Sequence, residues 1–330
     1  DGTCQIVIGT HAILEDKVQF KKLGFAVIDE QHRFGVAQRA KLWSKAELTP
    51  HVLVMTATPI PRTLAMTAYG DLDYSVIDEL PPGRLPVETV HRYDVDRGNV
   101  LHFVKSQIDI GRQAYIIFPL IEESEKLSYE DLQRGYENVK GYFPEPQYWI
   151  SMVHGRQAAD VKETNMRRFV NKETQVMVST TVIEVGVNVP NATVMVIENA
   201  EKFGLSQLHQ LRGRVGRGSD KSYCILLTSS KVSNDARERL KTMCATNDGF
   251  KIAEKDLELR GPGDIEGTRQ SGELNFKLAS LVDDRAIVEA AKNAASDILN
   301  QDEYLTSKEN EPLKKYLVQY AGKTEWSKIS

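Results

Sequence analysis

Phe25-Ala26-Val27-Ile28-Asp29-Glu30-Gln31-His32 runs from an unbroken apolar stretch straight into two carboxylates. Short apolar runs without alternation suit strands buried on both faces, the state of strands in a parallel sheet. Open α/β sheets hold ligands at the carboxyl ends of their strands, so Asp29 and Glu30 fall where ligand groups are expected. A second run, Val52-Leu53-Val54-Met55, opens into Thr56-Ala57-Thr58-Pro59-Ile60-Pro61-Arg62-Thr63. One acid can hold Mg²⁺ while the other acts on a hydrolytic water, with Gln31 and His32 relaying the state of the site. Asp-Glu taken alone is more often a solvated acidic loop after a strand.

Outward from this stretch, apolar runs alternate with helical patterns, which implies parallel sheets with helices on both faces. In the first part strands are expected at residues 5–8, 25–28, 52–55 and 74–77. The segment Glu79-Leu80-Pro81-Pro82-Gly83-Arg84-Leu85-Pro86 cannot continue a helix or a central strand, because its prolines lack donors and Gly83 frees the backbone; it reads as a linker. A second series of strands follows at 88–93, 114–119, 148–153, 175–179, 193–198 and 222–227, with helices at 95–111 and 160–170. Beyond Ser233 helical patterns dominate, 284–300 being the clearest amphipathic stretch, interrupted near Gly261-Pro262-Gly263.

The expected fold is α/β: two parallel-sheet domains, then a helical hairpin and a helical tail. The divisions are 1–80, a linker at 81–87, 88–230, 231–275 and 276–330. Doubly wound sheets generally carry five or more strands, and the first series has three or four. The expectation is therefore the C-terminal part of a longer protein, cut inside its first α/β domain.

With 330 residues, 41% hydrophobic and 27% charged, the chain has the makeup of a soluble globular protein of about two domains. It contains no apolar run of membrane-spanning length and no signal-peptide pattern. Cys4, Cys224 and Cys244 are too scattered for a zinc site or a disulfide framework, and a reducing, cytoplasmic setting is expected. A net charge of −4 does not announce a nucleic-acid binder, so any such surface must be a local patch.

Two further strings carry chemistry. In Gln207-Leu208-His209-Gln210-Leu211-Arg212-Gly213-Arg214-Val215-Gly216-Arg217, three arginines interleaved with glycines suit a polyphosphate, since guanidinium groups bond phosphate oxygens in pairs. The same string also suits a basic helix end or a nucleic-acid backbone contact. Ser179-Thr180-Thr181-Val182-Ile183-Glu184-Val185-Gly186-Val187-Asn188-Val189-Pro190 follows a strand with three hydroxyls, which either cap a helix or bind a phosphate. Thr10-His11, after the first expected strand, repeats that logic.

In this order and spacing the strings resemble a superfamily 2 helicase or translocase core from about its motif Ib onward, and within it the RecG family. Ile8-Gly9-Thr10-His11-Ala12 looks like the strand-contact motif, Asp29-Glu30-Gln31-His32-Arg33-Phe34-Gly35 like the Walker B box, and Thr56 to Thr63, with Thr56 and Thr58, like the coupling motif. Residues 179–190, with Thr180, Gly186 and Asn188, resemble motif V. Gln210, Arg214 and Arg217 match motif VI and by that likeness face the nucleotide, Arg217 as arginine finger. Arg239, Arg260 and Gln270 fall on the family's translocation motif, where a helical hairpin turns nucleotide-driven closure into movement along duplex DNA.

The resemblance implies two RecA-like domains, ATP and Mg²⁺, and action on branched double-stranded DNA such as stalled forks and Holliday junctions. It further implies a cytoplasmic monomer, with a single-stranded DNA-binding protein as a candidate partner and no membrane. Transcription-repair coupling translocases share the hairpin motif, but their box resembles Asp-Glu-Glu-Gln-Arg-Phe where this chain has Gln31-His32-Arg33. A non-catalytic DNA-binding module is the alternative from another class. Two departures matter: Asn188 stands where motif V often has an aspartate, and residues 1–330 contain no Gly-rich phosphate loop ending in Lys-Ser/Thr. Without that cradle, the stretch by itself is expected to have no meaningful ATPase activity.

Overall fold

The structure, a computed structural model, describes residues 3–30, 45, 50–56, 75–77, 79–119, 125–180, 188–260 and 284–321. The chain forms two compact units, 1–74 with 260–330, and 75–259. In the first, β1 (Phe25–Ile28) and β2 (His51–Val54) pair in parallel, with Phe25 opposite His51 and Ile28 opposite Val54. Leu14, from the 3₁₀ turn His11–Leu14, and Ile28 make a small core with Leu23, Ala26 and Val52. The strand expected at 5–8 does not form: those residues join no ladder, and Ile8 is 93% exposed. An apolar run becomes a strand only with a partner for its backbone groups, and no neighbouring strand takes up this run among the described residues. Residues 75–77 likewise carry no strand, leaving Ile77 in solvent.

The second unit is a six-stranded, all-parallel sheet in the order β3-β8-β7-β4-β6-β5. In chain order it runs β3 (Glu88–Tyr93), α1 (Arg97–Asp109), β4 (Gln113–Phe118), α2 (Glu125–Tyr142), β5 (Ile150–Val153), α3 (Ala159–Val170), β6 (Val176–Thr180), β7 (Ala192–Ile197), α4 (Leu205–Arg212) and β8 (Tyr223–Thr228). Then come α5 (Asn234–Ala245) and α6 (Gly249–Arg260). Every residue of β4, β6 and β7 is buried, as expected of strands covered on both faces.

The two-residue period of a strand sorts these side chains into two cores. Ala114, Ile116, Phe118, Val194 and Val196 meet Val100, Leu101 and Val104 of α1 and Leu132 and Val139 of α2. Tyr115, Ile117, Met195 and Ile197 meet Phe169 of α3, Leu205 and Leu208 of α4, Leu240 and Met243 of α5 and Ile252 of α6. Ser233 caps α5 by accepting the Ala236 N–H, and Asp248 caps α6 by accepting those of Phe250 and Lys251. In the first unit, α7 (Arg285–Gln301) and α8 (Glu311–Ala321) are joined by a turn built on Asp302. Its carboxylate accepts from the Thr306 and Ser307 N–H groups and the Asn310 amide, bonds that hold it well below the usual carboxylate range.

Candidate functional site

Parallel pairing puts the ends of β1 and β2 side by side. Met55 N–H donates to Ile28 O at 2.7 Å, so Asp29 and Thr56 leave the sheet at the same carboxyl edge. Asp29 is exposed, and its Oδ1 accepts the Glu30 N–H at 2.8 Å. Glu30 has φ 51°, in the left-handed region that residues with a Cβ seldom occupy. Thr10 precedes the 3₁₀ turn that begins at His11; its hydroxyl makes no cap and is exposed. Gln31, His32, Thr58, Gly186 and Gln270 lie outside the described residues.

The arginine string divides. Leu205, Leu208 and Leu211 bury one face of α4, while Gln210 is exposed and Arg214 and Arg217 are half-buried in the loop that follows. Both of those arginine charges act on the phenol of Tyr115 in β4, which burial pushes up to about 12 against their pull. Gly216 lets the loop turn with φ +71°, and a Cβ there would come within 2.7 Å of Val87 Cγ2. A Cβ on Gly218 would come within 3.2 Å of Pro190 O, so the end of the motif V string lies against the end of the motif VI string. Thr180 closes β6 with a buried hydroxyl that has no partner among the described residues, and Asn188 is exposed.

Arg212 corrects the polyphosphate reading of the string, because it is 3% exposed and faces protein rather than solvent. It donates to Met243 O at 2.9 Å and Thr246 O at 2.8 Å, at the C-terminal end of α5. Carbonyls there lack intrahelical donors, and a cation at that end also meets the negative pole of the helix. A guanidinium has no acceptor, so its 3.1 Å contact with His209 Nδ1 makes that nitrogen the acceptor and places the ring proton on Nε2. Burial, with Arg212 beside it, pushes His209 down to about 4. A second tie, Ser206 Oγ to Asp256 Oδ2 at 3.2 Å, joins α6 to α4.

Residues 1–67 match the family DEAD/DEAH box helicase, 99–219 the helicase conserved C-terminal domain, and 246–330 ATP-dependent DNA helicase RecG, domain 3, C-terminal. The chain is 49% identical over 331 residues to the ATP-dependent DNA helicase RecG of Bacillus subtilis, an alignment covering all of this chain and 48% of that protein. It is 56% identical over 304 residues to the RecG of a Synechocystis strain, covering 91% of this chain and 36% of that one. The chain belongs to the RecG helicase family. It spans less than half the length of these RecG relatives. A solved RecG bound to a three-way DNA junction superimposes with a TM-score of 0.64 at 43% identity, over 86% of this chain and 36% of that one. The α/β fold with parallel sheets and a following helical RecG domain is that of this superfamily 2 group.

Within this member of the RecG helicase family, the helices bearing the expected coupling residues Arg239 and Arg260 are anchored in ways the string patterns do not reveal. Arg239 Nη2 donates to Glu201 O at 2.9 Å, fixing α5 to the 3₁₀ turn after β7. Arg260 is the last residue of α6. The sequence reading also missed a buried ion pair at the carboxyl edge of the sheet, Arg97 Nε to Glu198 Oε1 at 2.9 Å. Glu198 is 5% exposed, and burial raises its carboxyl while Arg97 opposes the rise. The pair lies 101 positions apart in sequence, and no motif marks either one.

Proposed function

We propose that residues 1–330 form the motor portion of an ATP-dependent double-strand DNA translocase and helicase acting on branched DNA, stalled forks and Holliday junctions, in recombination and repair. One observation carries the reading: α4, which bears Gln210 and leads into the loop of Arg214 and Arg217, is tied through Arg212 and Ser206 to α5 and α6, where the family-specific helical region begins. The junction-bound RecG structure supports a branched DNA substrate. The proposed divisions are 1–80, 81–87, 88–230, 231–275 and 276–330, and the partners are those the family likeness implies, for a cytoplasmic monomer.

Asp29 is an exposed carboxylate at a strand end, the hard oxygen donor that Mg²⁺ favours, and with Glu30 it would hold the ion. Bound there, Mg²⁺ would offset charge on the nucleotide phosphates. Glu30 orients the attacking water and takes its proton, with His32 relaying the state of the site. Arg217 stabilises charge spreading over the γ-phosphate, Arg214 and Gln210 bind the nucleotide, and Gly186 and Asn188 approach its sugar. Thr10, His11, Thr56, Thr58 and Thr180 contact DNA. Arg239, Arg260 and Gln270 convert closure of the two α/β domains into movement of the duplex.

In the full-length protein, Glu30→Gln is expected to lower ATP hydrolysis at least about a hundredfold with ATP and fork binding retained. Unchanged turnover would remove Glu30 from the mechanism. Arg239→Ala or Gln270→Ala should spare ATP binding and impair fork unwinding; equal loss of both would sink the coupling role. Residues 1–330 by themselves should show no DNA-stimulated hydrolysis, and turnover abolished by Glu30→Gln would contradict this.

A further inference from the structure

Pro81-Pro82-Gly83-Arg84 forms a turn in which the Arg84 N–H donates to Pro81 O at 3.1 Å. Gly83 has φ +81°, and a proline before a left-handed glycine is the signature of a type II turn. The turn places the half-buried Arg84 side chain so that its Nε donates to Gly216 O at 2.7 Å, across 132 residues of sequence. Three residues on, Val87 is buried against Gly216 where a Cβ would otherwise sit, and Glu88 N–H enters the sheet by donating to Ser222 O at 2.9 Å. Two contacts of different kinds, one polar and one steric, thus dock the prolyl segment on the loop between Arg214 and Arg217.

Gly216 is the point of that loop with the greatest backbone freedom, since glycine adopts positive and negative φ with similar ease. Its carbonyl oxygen shares a rigid peptide plane with the nitrogen and Cα of Arg217. Fixing the oxygen therefore fixes the base from which the Arg217 side chain projects. Among the described residues the Arg217 side chain itself makes a long bond, Nε to Gly213 O at 3.3 Å, at the start of the same loop.

We propose that Arg84 is a positioning residue for Arg217: by holding the Gly216 carbonyl it sets the peptide plane that carries the arginine, so the segment joining the two α/β domains governs that arginine's reach toward the nucleotide. The proposal rests on the nucleotide-facing role given to Arg217 above. Arg84 touches no reacting group.

The test is a double-mutant cycle in the full-length protein with a synthetic forked DNA, reading kcat and KM for ATP. Arg84→Ala is expected to lower kcat about tenfold, with KM for ATP and fork affinity within about twofold, since small misplacement of a transition-state group costs rate more than ground-state binding. Arg217→Ala is expected to lower kcat about a thousandfold or more. In the Arg217→Ala background, adding Arg84→Ala should change kcat by less than about twofold, because a residue acting only through another is non-additive with it. Arg84→Lys, which keeps a donor of similar reach, should return kcat to within about threefold of the parent; if the alanine variant melts early, Arg84→Met, which keeps an unbranched apolar stem but no donor, takes its place in the cycle. A fully additive cycle, an Arg84→Ala enzyme with unaltered kcat, or a lysine variant no better than alanine overturns the proposal while leaving Arg217 in its role. Unaltered kcat in Arg217→Ala overturns the nucleotide reading itself, and the proposal with it.

Discussion

Phe25-Ala26-Val27-Ile28 of β1 and Val194-Met195-Val196-Ile197 of β7 would pass for one another on paper, yet Phe25 and Val27 are 59% and 52% exposed while β7 is buried throughout. The difference lies in what surrounds each strand. β7 has a strand on either side and helices over both faces, whereas β1 pairs with β2 alone among the described residues. A parallel pair cannot cover both of its own faces, so apolar character marks a strand fit for burial without securing it. The chemistry divides along the same line. The acids leave the sparsely packed pair at an exposed edge, while the arginine loop rests on a densely packed scaffold.

The comparison breaks most directly under matched truncations. Ile116→Ala, in the fully buried middle of β4, is expected to cost about 4 kcal/mol, whereas Val27→Ala should cost under about 1 kcal/mol. Amide hydrogen exchange across β3–β8 measures the first and exchange across β1–β2 the second. Equal costs would mean that β1 is as well covered as β4.

A smaller effect separates two arginines of one string. Arg212→Ala strips Met243 O and Thr246 O of a charged donor in a buried setting, with an expected loss of about 2–3 kcal/mol. Arg217→Ala should leave stability within about 0.5 kcal/mol while abolishing turnover. Urea unfolding set beside ATPase rates would expose the opposite assignment if it holds.

The smallest effect is titration of His209. Its folded pKa of about 4 lies below the unfolded value, so as pH falls through the window from 6.5 to about 4 the unfolded chain takes a proton that the folded chain refuses. Stability is intact above that window and is lost within it, by about 2 kcal/mol after solvent screening. His209→Gln should remove that slope from the urea midpoint plotted against pH. A slope that persists would place the titrating group elsewhere in the dense unit.

Legibility in the sequence follows the same physics. The six strands of the second series were readable to within about two residues: β4, β6, β7 and β8 are largely apolar runs that the sheet buries, while β3 at the sheet edge coincides with the expected 88–93 although none of its residues is buried. Residues 5–8 have the same local character and form no strand, since pairing is a property of neighbours. The strings offered Asp29 and Glu30 as candidates by residue type after a strand, and Gln210, Arg214 and Arg217 as candidates by their likeness to motif VI. They could not separate Arg212 from Arg214: both are arginines beside Gly213, and only the packing of α5 over α4 turns the first inward.

The sequence by itself determined the alternation of strands and helices, the carboxylates after β1, the prolyl linker around Gly83 and the family to which the chain belongs. Each of these rests on local periodicity, on φ preferences or on residue types in fixed order. Tertiary structure alone decided the strand order β3-β8-β7-β4-β6-β5, the pairing of Arg97 with Glu198, the inward turn of Arg212 and the reach of Arg84 to Gly216. Those are contacts between residues tens to more than a hundred positions apart. They exist because burying the two faces of the second sheet forces those segments together and leaves their buried polar groups to find one another.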